Sequence, residues 1–270
     1  MDFEKLCIST ILIVKNVGKY IREERIKFTT DGIESKGLHN FVTHVDKESE
    51  KQLTDELGKL LPESGFIGEE GVTSKRSDNY NWIIDPLDGT TNFIHGAPPY
   101  AISVALKVND EIVIGVIYEI CMDECFYAYK GSAAYCNDKR ITVSNTPKVI
   151  NALVATGFPY TNFSRLQPFL NSMVHFMKAS HGIRRLGSAA TDIAYVAAGR
   201  YDAFYEYGLH PWDVAAGALI LKQAGGRIAD FSGGDNFLFG KEIIATNANI
   251  FDEFLHDIHE IMVKENFSSK

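Results

Sequence analysis

In the stretch WIIDPLDGTTNFIHG, residues 82–96, two carboxylates, Asp85 and Asp88, stand three apart directly behind the apolar run Trp82–Ile84. A strand apolar on both faces is central and buried, so these carboxylates leave a low-dielectric region on a short turn. Two carboxylates this close repel, and one takes up a proton unless positive charge intervenes. A divalent cation between them removes the conflict. Asp-Pro and Asp-Gly are also turn dipeptides that arise for structural reasons alone, so a cation site needs further ligands from elsewhere in the chain.

Three stretches offer them. GFIGEEG places Glu69 and Glu70 at the end of a short strand-like run; HPWDVAAGALILKQAGG places Asp213 at the start of a strongly apolar helix; NFVTHVDKESE places Asp46 ahead of a helical stripe. Each has a plain structural reading. A Glu pair on a turn is ordinary surface, and Asp at a helix start is an ordinary cap. A helix as apolar as the one after Asp213 is buried, however, which sets its first turn near the core. Oxygen-only ligands suit Mg²⁺ or Mn²⁺ and disfavour Zn²⁺.

The elements that must position these groups follow from periodicity. Phe3, Leu6, Cys7, Ile11, Val14, Val17 and Ile21 form one helical face, and Leu53, Leu57, Leu60 and Leu61 form another that Pro62 ends. YAISVALKV, EIVIGVIYEI, ECFYAYKG and the short RITVS read as four strands joined by hairpin turns, hence antiparallel. Beyond Pro147 the pattern changes. A strand at Leu153–Thr156 precedes helices at Leu166–Lys178 and Ser188–Ala198. A strand at Asp202–Glu206, a helix at Val214–Ala224, two short strands and a helix from Phe251 complete the chain. Clustered strands followed by alternating elements predict a layered α/β chain of two lobes. Residues 1–146 form an N-terminal lobe with the antiparallel sheet and the metal-binding turns; residues 147–270 form a C-terminal α/β lobe completing the site.

Composition narrows the function classes. The chain has 270 residues, 45% hydrophobic and 23% charged, an ordinary globular balance. With a net charge of −8 and no Lys/Arg-rich run, it shows no basic patch for nucleic acid or a membrane surface. Its four cysteines, Cys7, Cys121, Cys125 and Cys136, lack zinc-site partners and read as free thiols. The N-terminus does not read as a secretory signal, and no run approaches the roughly 18 apolar residues of a membrane span. The expected location is the cytoplasm.

FIGEEG, WIIDPLDGTTNF and WDVAAGALILKQAGG, in this order and at these separations, resemble the inositol monophosphatase family, a branch of the lithium-sensitive, magnesium-dependent phosphatases. KGLHNFVTHVD resembles the family's early segment and HGIRRLGSAATDIAYVAAGRYDAFYE its substrate-facing segment, so the likeness spans nearly the whole chain. It implies a mixed α/β (α+β) fold, the layered α/β/α/β/α sandwich of the sugar-phosphatase type with mixed and antiparallel sheets, found as a homodimer. It implies a Mg²⁺-dependent phosphomonoesterase acting on a small polyol phosphate such as myo-inositol 1-phosphate. Glu69, Asp85 and the carbonyl of Leu87 would hold one Mg²⁺. Asp85, Asp88 and Asp213 would hold a second, with a third ion near Glu69. Mn²⁺ would be able to substitute. Asp46 and Thr90 would position and activate water. Gly89 and Thr90 would offer N–H groups to the phosphate. Glu206 and the Gly187–Ser188–Ala189 backbone would meet substrate hydroxyls.

The sequence departs from the family at His39–Asn40–Phe41, where an acidic and an aliphatic residue are common, and at Arg184–Arg185, where some members carry one basic residue. Arg185 is read as a salt bridge or dimer contact, and His210 either as a substrate contact or as a packed loop histidine. Fructose 1,6-bisphosphate and NADP or another nucleotide remain alternative substrates. A phosphatase-like module that binds a protein partner is a more distant alternative.

Overall fold

The computed structural model describes residues 1–29, 34–37, 40–160 and 162–264, for 34–37, 40 and 41 the backbone alone; His39 lies outside them, and so does the side-chain part of the His39–Asn40–Phe41 departure. Helix α1 (Phe3–Lys27) starts where Asp2 accepts the Lys5 N–H and buries Leu6, Cys7, Val14, Val17 and Ile21 on one stripe. After a small antiparallel pair, β1 (Glu34–Gly37) and β2 (Asn40–Val42), the chain enters α2 (His44–Leu60).

A seven-stranded sheet follows, comprising β3 (Gly65–Gly68), β4 (Tyr80–Asp88), β5 (Ala101–Val108), β6 (Glu111–Glu119), β7 (Glu124–Tyr129), β8 (Ala134–Cys136) and β9 (Lys139–Ile141), in that spatial order. The pairs from β4 to β9 are antiparallel, as the hairpin turns predict; β3 and β4 are parallel. The segment RITVS is a strand only to Ile141, because Val143 gives its N–H to Ala224 instead of a neighbouring strand. The short helix α3 (Thr90–His95) leaves the end of β4.

The second sheet has five strands in the order β11 (Gly182–Arg184), β10 (Leu153–Thr156), β12 (Ala203–Tyr207), β14 (Glu242–Thr246) and β13 (Arg227–Ala229). Its helices are α4 (Leu166–Ala179), α5 (Ala189–Ala197), α6 (Pro211–Gln223) and α7 (Phe251–Ile258), the last continuing as a π-helical turn His259–Lys264. Strands β8 and β11 carry too little alternation to be read from sequence.

Period-two burial sorts the layers. Trp82, Ile84, Ile102, Val104 and Leu106 face α1 and α2. Their neighbours Ile83, Ala101 and Ala105 face α5 and α6, which also meet Ala155, Phe204 and Ala245 of the second sheet. Val154, Ala203, Tyr205 and Ile244 face away, onto Phe169 and Phe176 of α4 and Phe251 and Phe254 of α7. The result is the expected five-layer α/β/α/β/α sandwich. A helix held between two sheets must be apolar all round, which is why α6 reads VAAGALIL. The alanines facing it let helix and sheet approach closely: a Cβ on Gly115 of β6 would lie 2.5 Å from the Ala216 carbonyl oxygen.

Candidate metal centre and active-site cleft

The acidic residues meet because two strand ends and two helix starts converge. Parallel pairing sets Gly68 opposite Ile84, so Glu69 and Asp85 follow side by side on neighbouring chains; the Glu69 N–H still donates to the Ile84 carbonyl at 3.2 Å. The ladder does not stop at Asp85 as expected. It continues to Asp88 opposite Ala101, with an irregularity between Asp85 and Asp88. Pro86 has no N–H to give the ladder, and the Leu87 N–H turns back to Asp85 Oδ1 at 2.9 Å.

Asp213 and Asp46 are not first-residue caps. Each is the third residue of its helix and reaches back to the chain before it. Asp213 Oδ2 accepts the His210 N–H at 2.7 Å, with Pro211 opening α6. Ser103, which pairs with Asp85 across the sheet, donates from Oγ to the Trp212 carbonyl at 2.8 Å and fixes that helix start beside Asp85. Asp46 Oδ2 accepts from the Thr43 N–H at 2.9 Å and the Thr43 hydroxyl at 2.6 Å. Its Oδ1 lies 2.9 Å from Thr90 Oγ1, which is also 3.0 Å from the Leu87 carbonyl.

Ligand oxygens of Asp85, Asp88 and Asp213 all lie within 4.8 Å of one another. Glu69, Leu87, Gly89, Thr90, Gly187, Ser188, Ala189 and Glu206 line the same cleft. Asp46 reaches it through Thr90. The cleft therefore brings together the residues singled out from sequence.

The electrostatics are those of a site short of positive charge. Burial first, then the charges of Asp213, Glu70 and Asp46, push the Glu69 carboxyl well above its usual range. Burial and the charges of Glu69, Asp88 and Asp213 do the same to Asp85; burial and Asp88 do it to Asp213. Asp88 is pushed up to about 6 by burial, a rise limited by bonds from the Ser188 hydroxyl and the Ala190 N–H, both 2.7 Å, at the N-terminus of α5, and by the Arg185 charge. Among the described residues no ion pair reaches these four carboxyls. Crowded and oxygen-only, with the charge of Arg185 as its cationic relief at Asp88, the donor set fits a hard divalent cation.

Sequence reasoning missed three features here. The Ser188 side chain, not only its backbone, grips Asp88; its place before the apolar run of α5 marks it as a cap. Asp192 is 1% exposed, with Oδ1 unpartnered and its carboxyl pushed well up by burial and by Glu206 and Asp88. Arg185 forms no ion pair among the described residues; its guanidinium lies over Phe158 and Tyr160, 5.1 and 5.3 Å from the ring centroids, on the cleft wall. Arg184 points out and donates to the Ile183 carbonyl. His210 stacks on Trp212 at 4.8 Å and also lines the cleft; burial lowers its pKa, so both readings of it have support.

A five-layer sandwich whose strand ends gather carboxylates over a small cleft defines a class of metal-assisted phosphatases. The chain belongs to the inositol monophosphatase family: the family model matches residues 4–263. It is 42% identical to an inositol-1-monophosphatase of Mesorhizobium japonicum over 78% of this chain and 80% of that one. It is 39% identical to the Nus factor SuhB of Pseudomonas aeruginosa over 90% and 92%. The structure superposes on the IMPase of Thermotoga maritima with a TM-score of 0.87 at 36% identity, covering 97% of this chain and 99% of that one. Among the described residues no helix is long and apolar enough to cross a membrane.

Proposed function

We propose that the chain is a Mg²⁺-dependent phosphomonoesterase acting on a small polyol phosphate, with myo-inositol 1-phosphate the first candidate. The observation that carries the reading is the Asp85–Asp88–Asp213 trio, oxygens within 4.8 Å, inside the cleft of this fold. Glu69, Asp85 and the Leu87 carbonyl would hold one cation and Asp85, Asp88 and Asp213 another, with a third near Glu69. Bound Mg²⁺ supplies charge neutralisation at the phosphoryl oxygens and a lower pKa for water.

The chain's own groups do the rest. Thr90 Oγ1 has one proton and two acceptors in reach, Asp46 Oδ1 and the Leu87 carbonyl. With that proton directed to Asp46, the hydroxyl lone pairs face the cleft and accept from an attacking water. As the water attacks phosphorus and the P–O bond to the polyol breaks, the water proton passes to Thr90 Oγ1 and the Thr90 proton to Asp46 Oδ1, and the departing alkoxide takes a proton from a second water of the open cleft. Burial raises the Asp46 pKa and so favours this transfer. The Gly89–Thr90 turn presents N–H groups to the phosphate, since the first turn of a helix leaves its amides unpaired. Glu206, pushed up to about 8 by burial and the Asp88 charge, can donate a hydrogen bond to a substrate hydroxyl as well as accept one.

Phosphate release from inositol 1-phosphate, with Mg²⁺ and with EDTA, tests the reading. Activity should require the metal, and Asp88→Asn should lower it by about 10³-fold or more while the chain stays folded. Equal turnover in EDTA sinks the mechanism. A higher kcat/KM on fructose 1,6-bisphosphate or NADP moves the substrate assignment. Because relatives 39% and 38% identical are named Nus factor SuhB, a binding role is the second reading; a cellular role that survives Asp88→Asn favours it.

A further inference from the structure

Helix α2 buries two carboxylates one turn apart, Asp46 and Glu50. Asp46 meets Thr90. Four residues on, Glu50 is 1% exposed and meets the turn after β3. One carboxylate oxygen accepts the Glu70 N–H at 2.7 Å and the other accepts the Val72 N–H at 2.8 Å. These amides flank Gly71, whose φ of +66° gives the turn its reversal. A side chain on Gly68 would come within 2.6 Å of the same carboxylate, so it is wedged against the end of β3 as well.

Glu69 sits between these contacts. On one side its own N–H is tied to Ile84 of β4; on the other, its neighbour's N–H is tied to Glu50. Burying a carboxylate is costly unless it is fully hydrogen-bonded, and two charge-assisted backbone bonds supply that here. A surface turn alone does not call for so costly a clamp. Orienting a ligand carboxylate does, because outer groups that hold ligands set both their geometry and their affinity.

We propose that Glu50 is a positioning residue for Glu69. It fixes the 69–72 turn so that the Glu69 carboxylate faces Asp85, and its place on α2 locks that turn to the Asp46–Thr90 pair. The inference rests on the metal-dependent reading above.

Mn²⁺ titrated into the full chain and read by electron paramagnetic resonance tests it. Glu50→Gln should weaken the Glu69-bearing Mn²⁺ site by about 10-fold or more, leave kcat at saturating metal within a few-fold, and speed amide exchange at Glu70 and Val72. Glu69→Gln should weaken the same site, and adding Glu50→Gln to it should weaken it no further, since a residue acting only through another has nothing left to act on. Gly68→Ala, which crowds the same carboxylate from the strand side, should reproduce the loss and serves if Glu50→Gln does not fold. Unchanged Mn²⁺ affinity in folded Glu50→Gln, or fully additive losses in the double variant, overturns the proposal alone. Wild-type chain that binds no Mn²⁺ overturns the metal reading and this inference with it.

Discussion

At the scale of single residues, the Thr90 hydroxyl is the most exacting group in the cleft. Asp46 Oδ1 and the Leu87 carbonyl both lie within 3.0 Å of it, and Thr43 holds the other oxygen of Asp46. Thr90→Val keeps shape and removes the proton relay, so kcat should fall about 10²-fold or more with little change in KM. Thr90→Ser should keep most of it. Equal kcat for Thr90→Val and wild type in a steady-state assay would remove Thr90 from the mechanism. The motif residues were legible because their chemistry is local: carboxylates beside Pro and Gly after an apolar run. Glu50 and Asp192 were not, because in sequence each is one acidic residue inside a helix. Only the fold shows that the first clamps a turn 20 residues away and that the second lies buried beside Glu206.

At the scale of elements, the site depends on which strand lies beside which. Sequence periodicity located β4, β5, β6 and β7 and their hairpins, since turn chemistry and alternation are short-range signals. It did not show that β3 runs parallel to β4, a pairing set by packing rather than by the 11 residues between them. That pairing puts Glu69 next to Asp85. Helix α6 completes the cluster only if it lies close against the sheet, and at Gly115 the approach leaves no room for a side chain. Gly115→Val would force α6 outward and should cost about 1–3 kcal/mol of stability through overpacking. Because α6 carries Asp213, the variant should also bind Mn²⁺ more weakly than its loss of stability alone explains. A variant destabilised on denaturant titration but with wild-type Mn²⁺ affinity would show that the helix start is held by other contacts, chiefly the Ser103–Trp212 bond.

At the scale of the molecule, the middle layer of helices belongs to both sheets, and the carboxylates it helps to gather repel one another. This ties stability to pH with a definite sign. Glu69, Asp85 and Asp213 are raised well above their usual range, Asp88 to about 6 and Glu206 to about 8. In the unfolded chain such groups titrate near 4. Between the two values the metal-free native state holds protons that the unfolded state has lost, so stability falls as pH rises, by about 1.4 kcal/mol per pH unit for each such proton. The loss runs upward from pH ~4, ending near 6 for Asp88 and near 8 for Glu206. A divalent cation binds the ionised native state and adds stability by mass action, more so as protons compete less. Melting curves with and without Mg²⁺ should therefore diverge from pH 5 to pH 8, the metal-free Tm dropping as pH rises. Asp213→Asn removes one repelling charge. Its metal-free form should melt above the metal-free wild type at pH 8, and Mg²⁺ should raise its Tm less. A gap between the two wild-type curves that stays constant or narrows with pH would mean that the carboxylates are compensated within the protein and need no cation.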